Sequence, residues 1–154
     1  TSQEQFENNL AGALFHISAT HPCFWIEDES QRIGTNMLPI TFFKNIRNSI
    51  CYFIDIPFES RLQFIVEAYG KFAVADLIAA TLRIQKRLGG LETKTAVNYL
   101  VENNVEAAFS ILLKYYDKVY LKNLETAAIP KFKTEKIEAP EVNPIQNAGL
   151  FMHL

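Results

Sequence analysis

The chain has 154 residues, about the length of one globular domain, and 49% of them are hydrophobic, which excludes a disordered protein. Its net charge of −2 excludes a general attraction to nucleic acids or anionic membranes, so any such binding has to be local. No apolar run reaches the ~18 residues of a membrane span, and the first residues do not form a signal peptide. We therefore expect a cytoplasmic protein without a membrane partner, in which Cys23 and Cys51 are free thiols.

The first third of the chain predicts a helix, a strand and a second helix. Ser2 suits an N-cap, and apolar residues then recur on one helical face to about residue 19. Residues 24–28 favour a β-strand and run into three consecutive acids. Because three carboxylates are not buried without partners, we expect either a buried parallel strand that surfaces near Asp28 or a strand ending in a solvated acidic turn. The second helix opens at Leu38-Pro39.

A second apolar run at residues 51–56 predicts another strand, and the strand–helix–strand spacing is typical of a parallel sheet. The following residues are predicted to form helices. One runs from Pro57 to Gly70, and a single helix over 72–88 is ended by two glycines. Three more helices cover 92–102, 105–116 and 117–126. Residues 128–133 form a third candidate strand at a sheet edge, and 134–154 an extended or disordered tail. The predicted class is α/β, with a partial P-loop NTPase-like parallel sheet and a largely helical C-terminal half.

Charged side chains near the predicted strand ends are candidates for an anion and metal site. Acids at a strand's carboxyl end, Glu27 and Asp28, suit Mg²⁺ or its waters, and Ser30 and Arg32 suit phosphate oxygens. Arg61, one turn into a helix, suits a phosphate as well; the alternative is a surface pair with Glu59 or Glu67.

The cluster of cations near residue 85 has two interpretations. Arg83, Lys86 and Arg87 come at the end of the helix predicted over 72–88, where cations complement the helix dipole. They are also a candidate basic patch for the phosphates of a nucleotide, a diphosphate or RNA. Arg83 and Arg87 are four residues apart, so on one helix they share a face.

Several chemistries are excluded by missing motifs. The sequence has no HExxH or paired-cysteine spacing for zinc and no GxSxG nucleophile elbow. It also has no GxxxxGK[ST] loop, so we expect the phosphate loop of a P-loop fold to lie outside this chain.

Five blocks in a fixed order carry a family resemblance. They are residues 25–34 (WIEDESQRIG), 38–39 (LP), 55–61 (DIPFESR), 83–91 (RIQKRLGGL) and 112–120 (LLKYYDKVY). Together, within a stretch from about residue 3 to 133, they resemble the C-terminal part of the bacterial tRNA 2-selenouridine synthase family. Residues 1–133 are accordingly interpreted as the C-terminal portion of a P-loop-like domain, whose phosphate loop and companion rhodanese domain precede it.

The resemblance implies a transferase that replaces the sulfur of 2-thiouridine at the tRNA wobble position with selenium. It implies an S-geranylated intermediate made from geranyl diphosphate, selenophosphate as selenium donor, and ATP or GTP binding by the P-loop fold. The expected partners are tRNA and the upstream rhodanese and P-loop segments. Neither Cys23 nor Cys51 matches the family's selenium-handling cysteine, so we expect the chain to be inactive alone.

The resemblance also assigns roles to the charged residues. It places Glu27 or Asp28 at a diphosphate-bound metal, and Arg32 and Arg61 at diphosphate oxygens; the cluster near residue 85 covers the phosphates or touches tRNA. Two other functions stay open: a small-molecule kinase or NTPase fragment in which the same acids hold Mg·ATP, and a helical interaction module without chemistry.

Overall fold

The computed structural model describes residues 2–21, 23–28, 30–126 and 133–152, with only the backbone for 123–126. In these ranges the strands are β1 (Arg32–Ile33), β2 (Asn36–Met37), β3 (Cys51–Asp55) and β4 (Thr134–Glu138). The helices are α1 (Gln3–Thr20), α2 (Ile40–Arg47), α3 (Phe58–Tyr69), α4 (Val74–Arg83), α5 (Gln85–Leu88), α6 (Gly90–Val101), α7 (Val105–Thr126) and α8 (Pro144–Gly149). The predicted α/β class, mainly helical after β3, is confirmed. No helix in the described ranges is both long enough and apolar enough for a membrane span.

The chain divides into two compact units. The first contains Thr1–Cys51 and Ala128–Glu135, and the second contains Tyr52–Ala127 and Lys136–Leu154. In the first unit, the Ser2 hydroxyl oxygen accepts a hydrogen bond from the Gln5 N–H at 3.2 Å, which confirms the predicted N-cap of α1. The Gln3 side chain donates to the carbonyl of Met37 at 2.8 Å and accepts from its N–H at 2.9 Å, which ties α1 to the β1–β2 hairpin.

The strand predicted at residues 24–28 is not formed. Residues 23–28 have no regular secondary structure, and Phe24, Trp25 and Ile26 are 42%, 59% and 47% exposed. A strand requires a neighbour to pair with its backbone N–H and C=O groups, and β-favouring side chains do not replace that neighbour. In the first unit, the described strands β1 and β2 pair with each other instead.

The strand predicted at 51–56 is confirmed as β3. It pairs in parallel with β4: the Cys51 N–H donates to the carbonyl of Lys133, and the Ala139 N–H donates to that of Asp55. Of the strand predicted at 128–133, residues 128–132 lie outside the described residues. The prediction of an extended or disordered tail from residue 134 is wrong for its described part, because β4 gains hydrogen-bond partners in β3 and Asn143 caps α8.

The core of the second unit lies around α6, which packs against α4, α5 and α7, while α3 packs against α7. The helix predicted over 72–88 is interrupted at Ile84, where the Ile84 N–H bonds the carbonyl of Thr81 and the following turn buries Leu88. The helices predicted over 105–116 and 117–126 are one continuous helix, α7. Asp117, at the predicted junction, is held by a distant partner and does not compete for the helix backbone.

Truncating the centre of this core is expected to destabilise the protein strongly. Leu100 on α6 is fully buried, so Leu100→Ala is expected to lower the free energy of unfolding by about 2–5 kcal/mol. The neighbouring Val101 is 69% exposed, and Val101→Ala is expected to change it by less than about 0.5 kcal/mol. Urea unfolding followed by circular dichroism checks both; equal effects would contradict the core assignment.

Candidate functional site

Arg61 lies in the first turn of α3, a few residues after β3, and its guanidinium is hydrogen-bonded to two other residues. Pro57 ends the connection after β3 and accepts the Arg61 backbone N–H at 3.1 Å, so Arg61 is placed one turn into α3. The Nε–H donates to the carbonyl of Ile56 at 2.9 Å. Nη1 and Nη2 donate to the two carboxylate oxygens of Asp117 on α7, at 2.6 and 2.9 Å. The guanidinium thus joins three elements of the second unit: β3, α3 and α7.

The Arg61–Asp117 pair is partly buried, since each side chain is 30% exposed. The hydrogen bond to Asp117 raises the pKa of Arg61, while burial opposes that shift. The sequence offered Glu59 and Glu67 as alternative partners, and the structure assigns neither of them. Of the five N–H groups of a guanidinium, three are used, so two remain to donate to an anion.

A cleft of about 360 Å³ opens at the carboxyl ends of β3 and β4, lined by Asp55, Pro57, Glu138, Ala139 and Pro140. The carboxyl ends of parallel strands are the usual place for ligands in α/β proteins. Lys136 on β4 reaches Asp55 on β3 at 2.5 Å, and this hydrogen bond raises the pKa of Lys136. The lining includes two carboxylates, Asp55 and Glu138, and Asp55 pairs with Lys136, so the cleft favours a polar or cationic group over a free phosphate.

Glu27 and Asp28, the acids of the block at residues 25–34, lie in the first unit. Asp28 accepts from Arg47 Nη1 at 2.8 Å, and Glu27 is exposed. Among the described residues, no three His, Cys, Asp or Glu side chains converge as metal ligands. The role of Glu27 and Asp28 at a magnesium ion stays a prediction from the resemblance.

The same ion pair sets the environment of a thiol. Burial raises the pKa of Cys51 first, the negative charge of Asp28 raises it further, and Arg47 lowers it. Cys23 is exposed and Cys51 partly buried, and both are free thiols, as the sequence predicted.

Ser30 and Arg32, the two other candidate residues of the first unit, form hydrogen bonds with the β1–β2 hairpin to which Arg32 belongs. Ser30 donates its hydroxyl to the carbonyl of Arg32 at 2.8 Å, and the Arg32 Nε–H donates to the carbonyl of Gly34 at 3.1 Å. Gly34 has φ 61°, a conformation suited to glycine, so the hairpin turn explains this part of the motif. Both side chains are exposed, and their predicted phosphate contacts stay predictions.

The cation cluster of the second unit is exposed. Arg83 ends α4, and Lys86 and Arg87 lie in the short α5; none of the three forms an ion pair in the part of the chain that the structure describes. The interruption at Ile84 removes the continuous helix on which Arg83 and Arg87 were expected to share a face. The predicted stop at the two glycines is confirmed, because Gly89 adopts φ 101° between α5 and α6.

Sequence reasoning missed Asp117, the residue that holds Arg61. It lies 56 residues away, and no spacing rule connects positions that far apart. The available signal was weak: Asp117 is the single acid among three lysines in residues 114–122. Lys136 was missed because its strand was expected to be an extended tail.

Removing the acid beside Cys51 is expected to make that thiol more reactive. Asp28→Asn removes the negative charge that raises the pKa of Cys51, while the positive charge of Arg47, which lowers it, remains, so the thiolate fraction increases. The rate of Cys51 alkylation by iodoacetamide, followed against pH by mass spectrometry, is expected to rise at lower pH than in the wild type. Glu27→Gln is the control and is expected to leave the profile unchanged; identical profiles for both variants would contradict the assignment.

The Arg61–Asp117 pair is expected to stabilise the second unit. Asp117→Asn leaves a partly buried guanidinium without its carboxylate, which is expected to cost about 1–3 kcal/mol of unfolding free energy. Glu67→Gln, at the alternative partner proposed from the sequence, is expected to cost less than about 0.5 kcal/mol. Thermal and urea unfolding check the difference, and a larger loss in Glu67→Gln would show that the pairing is misassigned.

Comparison with known proteins agrees with the motifs. A family model described as the tRNA 2-selenouridine synthase AAA domain matches residues 1–139. The tRNA 2-selenouridine synthase of Shewanella frigidimarina is 31% identical over 155 aligned positions, which cover 80% of this chain and 42% of that protein. The protein of the same name from Alcanivorax borkumensis is 30% identical, over 77% of this chain and 41% of its own length. No solved structure matches the chain.

The chain thus spans about two fifths of the length of these relatives. The matched region contains all five sequence blocks and both arginines Arg32 and Arg61. The resemblance inferred from the motifs is confirmed, and this chain belongs to the tRNA 2-selenouridine synthase family, in which it matches the AAA domain.

Proposed function

We propose that this chain is the C-terminal part of the P-loop-like domain of a transferase that converts 2-thiouridine at the tRNA wobble position into 2-selenouridine. The observation that carries the proposal is the family match over residues 1–139, supported by relatives named for this product. The geranyl diphosphate and selenophosphate steps come from the family resemblance. In them, the sulfur is geranylated with loss of diphosphate. Selenium from selenophosphate then bonds to the same uridine carbon and displaces geranylthiol, and phosphate is released with water.

The chemical demand on this domain is to bind and neutralise a departing diphosphate. Donors that are already in position when the negative charge develops stabilise it without reorganisation. Arg61 meets this condition, because Ile56 and Asp117 hold its guanidinium while two N–H groups remain to donate. Asp117 offsets part of its charge, so further cations are needed; Arg83, Lys86 and Arg87 are exposed candidates in the same unit.

The proposal assigns the phosphate loop and the selenium-handling cysteine to segments outside residues 1–154. The sequence contains no GxxxxGK[ST] loop, and neither of its two cysteines matches the family's. The exposed run Phe24-Trp25-Ile26 supports such companion segments, since a β-favouring apolar run gains both pairing and burial from a neighbouring strand.

Transplanting the chain into a relative tests the proposal. Residues 1–139 replace the matched segment of the Shewanella frigidimarina protein, and the chimera is expressed in bacteria that lack their own synthase. We expect 2-selenouridine in hydrolysed tRNA by mass spectrometry, and a product level about 10- to 100-fold lower with Arg61→Lys, which cannot reproduce the bidentate geometry.

Glu67→Gln in the same chimera is the control and is expected to keep full activity. A folded chimera that yields neither 2-selenouridine nor geranylated 2-thiouridine, beside an active parent, would overturn the proposal. Binding of ATP without any binding of geranyl diphosphate would instead support the kinase or NTPase alternative, and binding of neither would support the interaction module.

A further inference from the structure

Three lysines form a row along α7. Lys114, Lys118 and Lys122 are four residues apart, so they project from the same side of the helix at steps of about 6 Å along its axis. All three side chains are exposed. We call these three residues the lysine row.

The charges of Lys114 and Lys118 are little offset by nearby acids. Between its first and last members the only acid is Asp117, whose two carboxylate oxygens are both bound by Arg61. Lys114 and Lys118 form no ion pair with any residue in the described ranges. A row of cations with this spacing is complementary to a chain of regularly spaced negative charges.

The lysine row begins beside the candidate site. Lys114 Nζ lies 5.8 Å from the centroid of the Phe58 ring, and Arg61 Cζ lies 5.9 Å from the same centroid. The Phe58 ring at the start of α3 is therefore a shared neighbour of Arg61 and the first lysine. From Lys114 the row extends about 12 Å along α7 and passes Asp117, the residue that binds Arg61.

Residues 116–122 of α7 are accessible on more than one side. Tyr116 and Tyr120 stack on each other with centroids 6.1 Å apart, and both are more than half exposed. At 100° per residue they lie roughly opposite the lysine row. This part of the helix therefore stands clear of the core formed by α3, α6 and the first half of α7, and its lysines can be reached by a large ligand.

We propose that the lysine row binds consecutive backbone phosphates of tRNA and leads the RNA to the end of β3 where Arg61 lies. The choice of tRNA as the polyanion rests on the proposed function. The net charge of −2 makes a local basic row necessary for any RNA affinity, because the protein as a whole does not attract a polyanion. The lysine row recognises the charge and spacing of the phosphates but contacts no bases, so it positions the RNA without selecting its sequence.

Salt-dependent binding tests this assignment. Fluorescently labelled tRNA is titrated by fluorescence anisotropy with the 154-residue chain and with a Lys114→Gln, Lys118→Gln, Lys122→Gln variant, at several salt concentrations. Glutamine keeps the helix propensity and removes the charge. We expect the variant to bind ~10- to 100-fold more weakly, and the slope of log affinity against log salt to become shallower by about 2 units, since each lost phosphate contact removes ~0.7–0.9.

A Lys44→Gln, Lys71→Gln, Lys94→Gln variant is the control, because it removes the same charge from exposed positions elsewhere. It is expected to change the slope by less than about 0.5. Equal slopes for both variants, or no binding of tRNA by the wild-type chain, would overturn the proposal. Polyglutamate competing as well as unlabelled tRNA would also overturn it, in favour of an acidic protein partner.

These outcomes separate the lysine row from the proposed function. A chimera that carries the three glutamines and still makes 2-selenouridine at the wild-type rate, at low tRNA concentration, would refute the lysine row while leaving the proposed function standing. A wild-type chimera that makes no product although the chain binds tRNA through the row would refute the proposed function alone.

Discussion

The bidentate ion pair between Arg61 and Asp117 is the constraint on which the second unit depends. One guanidinium is bonded at once to the end of β3, through the carbonyl of Ile56, and to α7, through both oxygens of Asp117, while its own backbone belongs to α3. Because the planar guanidinium is bonded to Ile56 along one edge and to Asp117 along another, it cannot rotate. The start of α3 is therefore fixed against α7. The same contacts leave two N–H groups, which is why Arg61 is the proposed anion donor.

Apolar side chains are buried in the core of the second unit, whereas an apolar run of the first unit stays exposed. In the second unit, α6 is covered by its neighbours and buries Ala96 and Leu100 completely. In the first unit, Phe24, Trp25 and Ile26 stay exposed although they favour a strand as strongly as residues 51–55, which form one. The difference lies in the partner: β3 has β4 for its backbone groups, whereas residues 23–28 pair with no strand in the described chain.

The charged residues fall into a few local sets. Asp28 and Arg47 neutralise each other beside Cys51, and Asp55 is taken by Lys136, so several acids that looked available in sequence are already paired. Several cations stay exposed, among them those of α4, α5 and the lysine row of α7. A domain with a small net charge can in this way present basic surfaces, because its acids are compensated locally and its cations are concentrated on particular helices.

The sequence by itself determined the α/β class, the cap of α1 at Ser2, the strand β3, the stop at Gly89 and the family, because each follows from local patterns or from motifs in a fixed order. Only the tertiary structure decided that residues 24–28 lack a strand, that residues 134–138 form one, and that Asp117 rather than Glu59 or Glu67 holds Arg61. These outcomes depend on pairing between residues far apart in the chain. A strand exists only where another supplies its hydrogen bonds, and an ion pair forms where packing brings two side chains together, neither of which is written in local spacing.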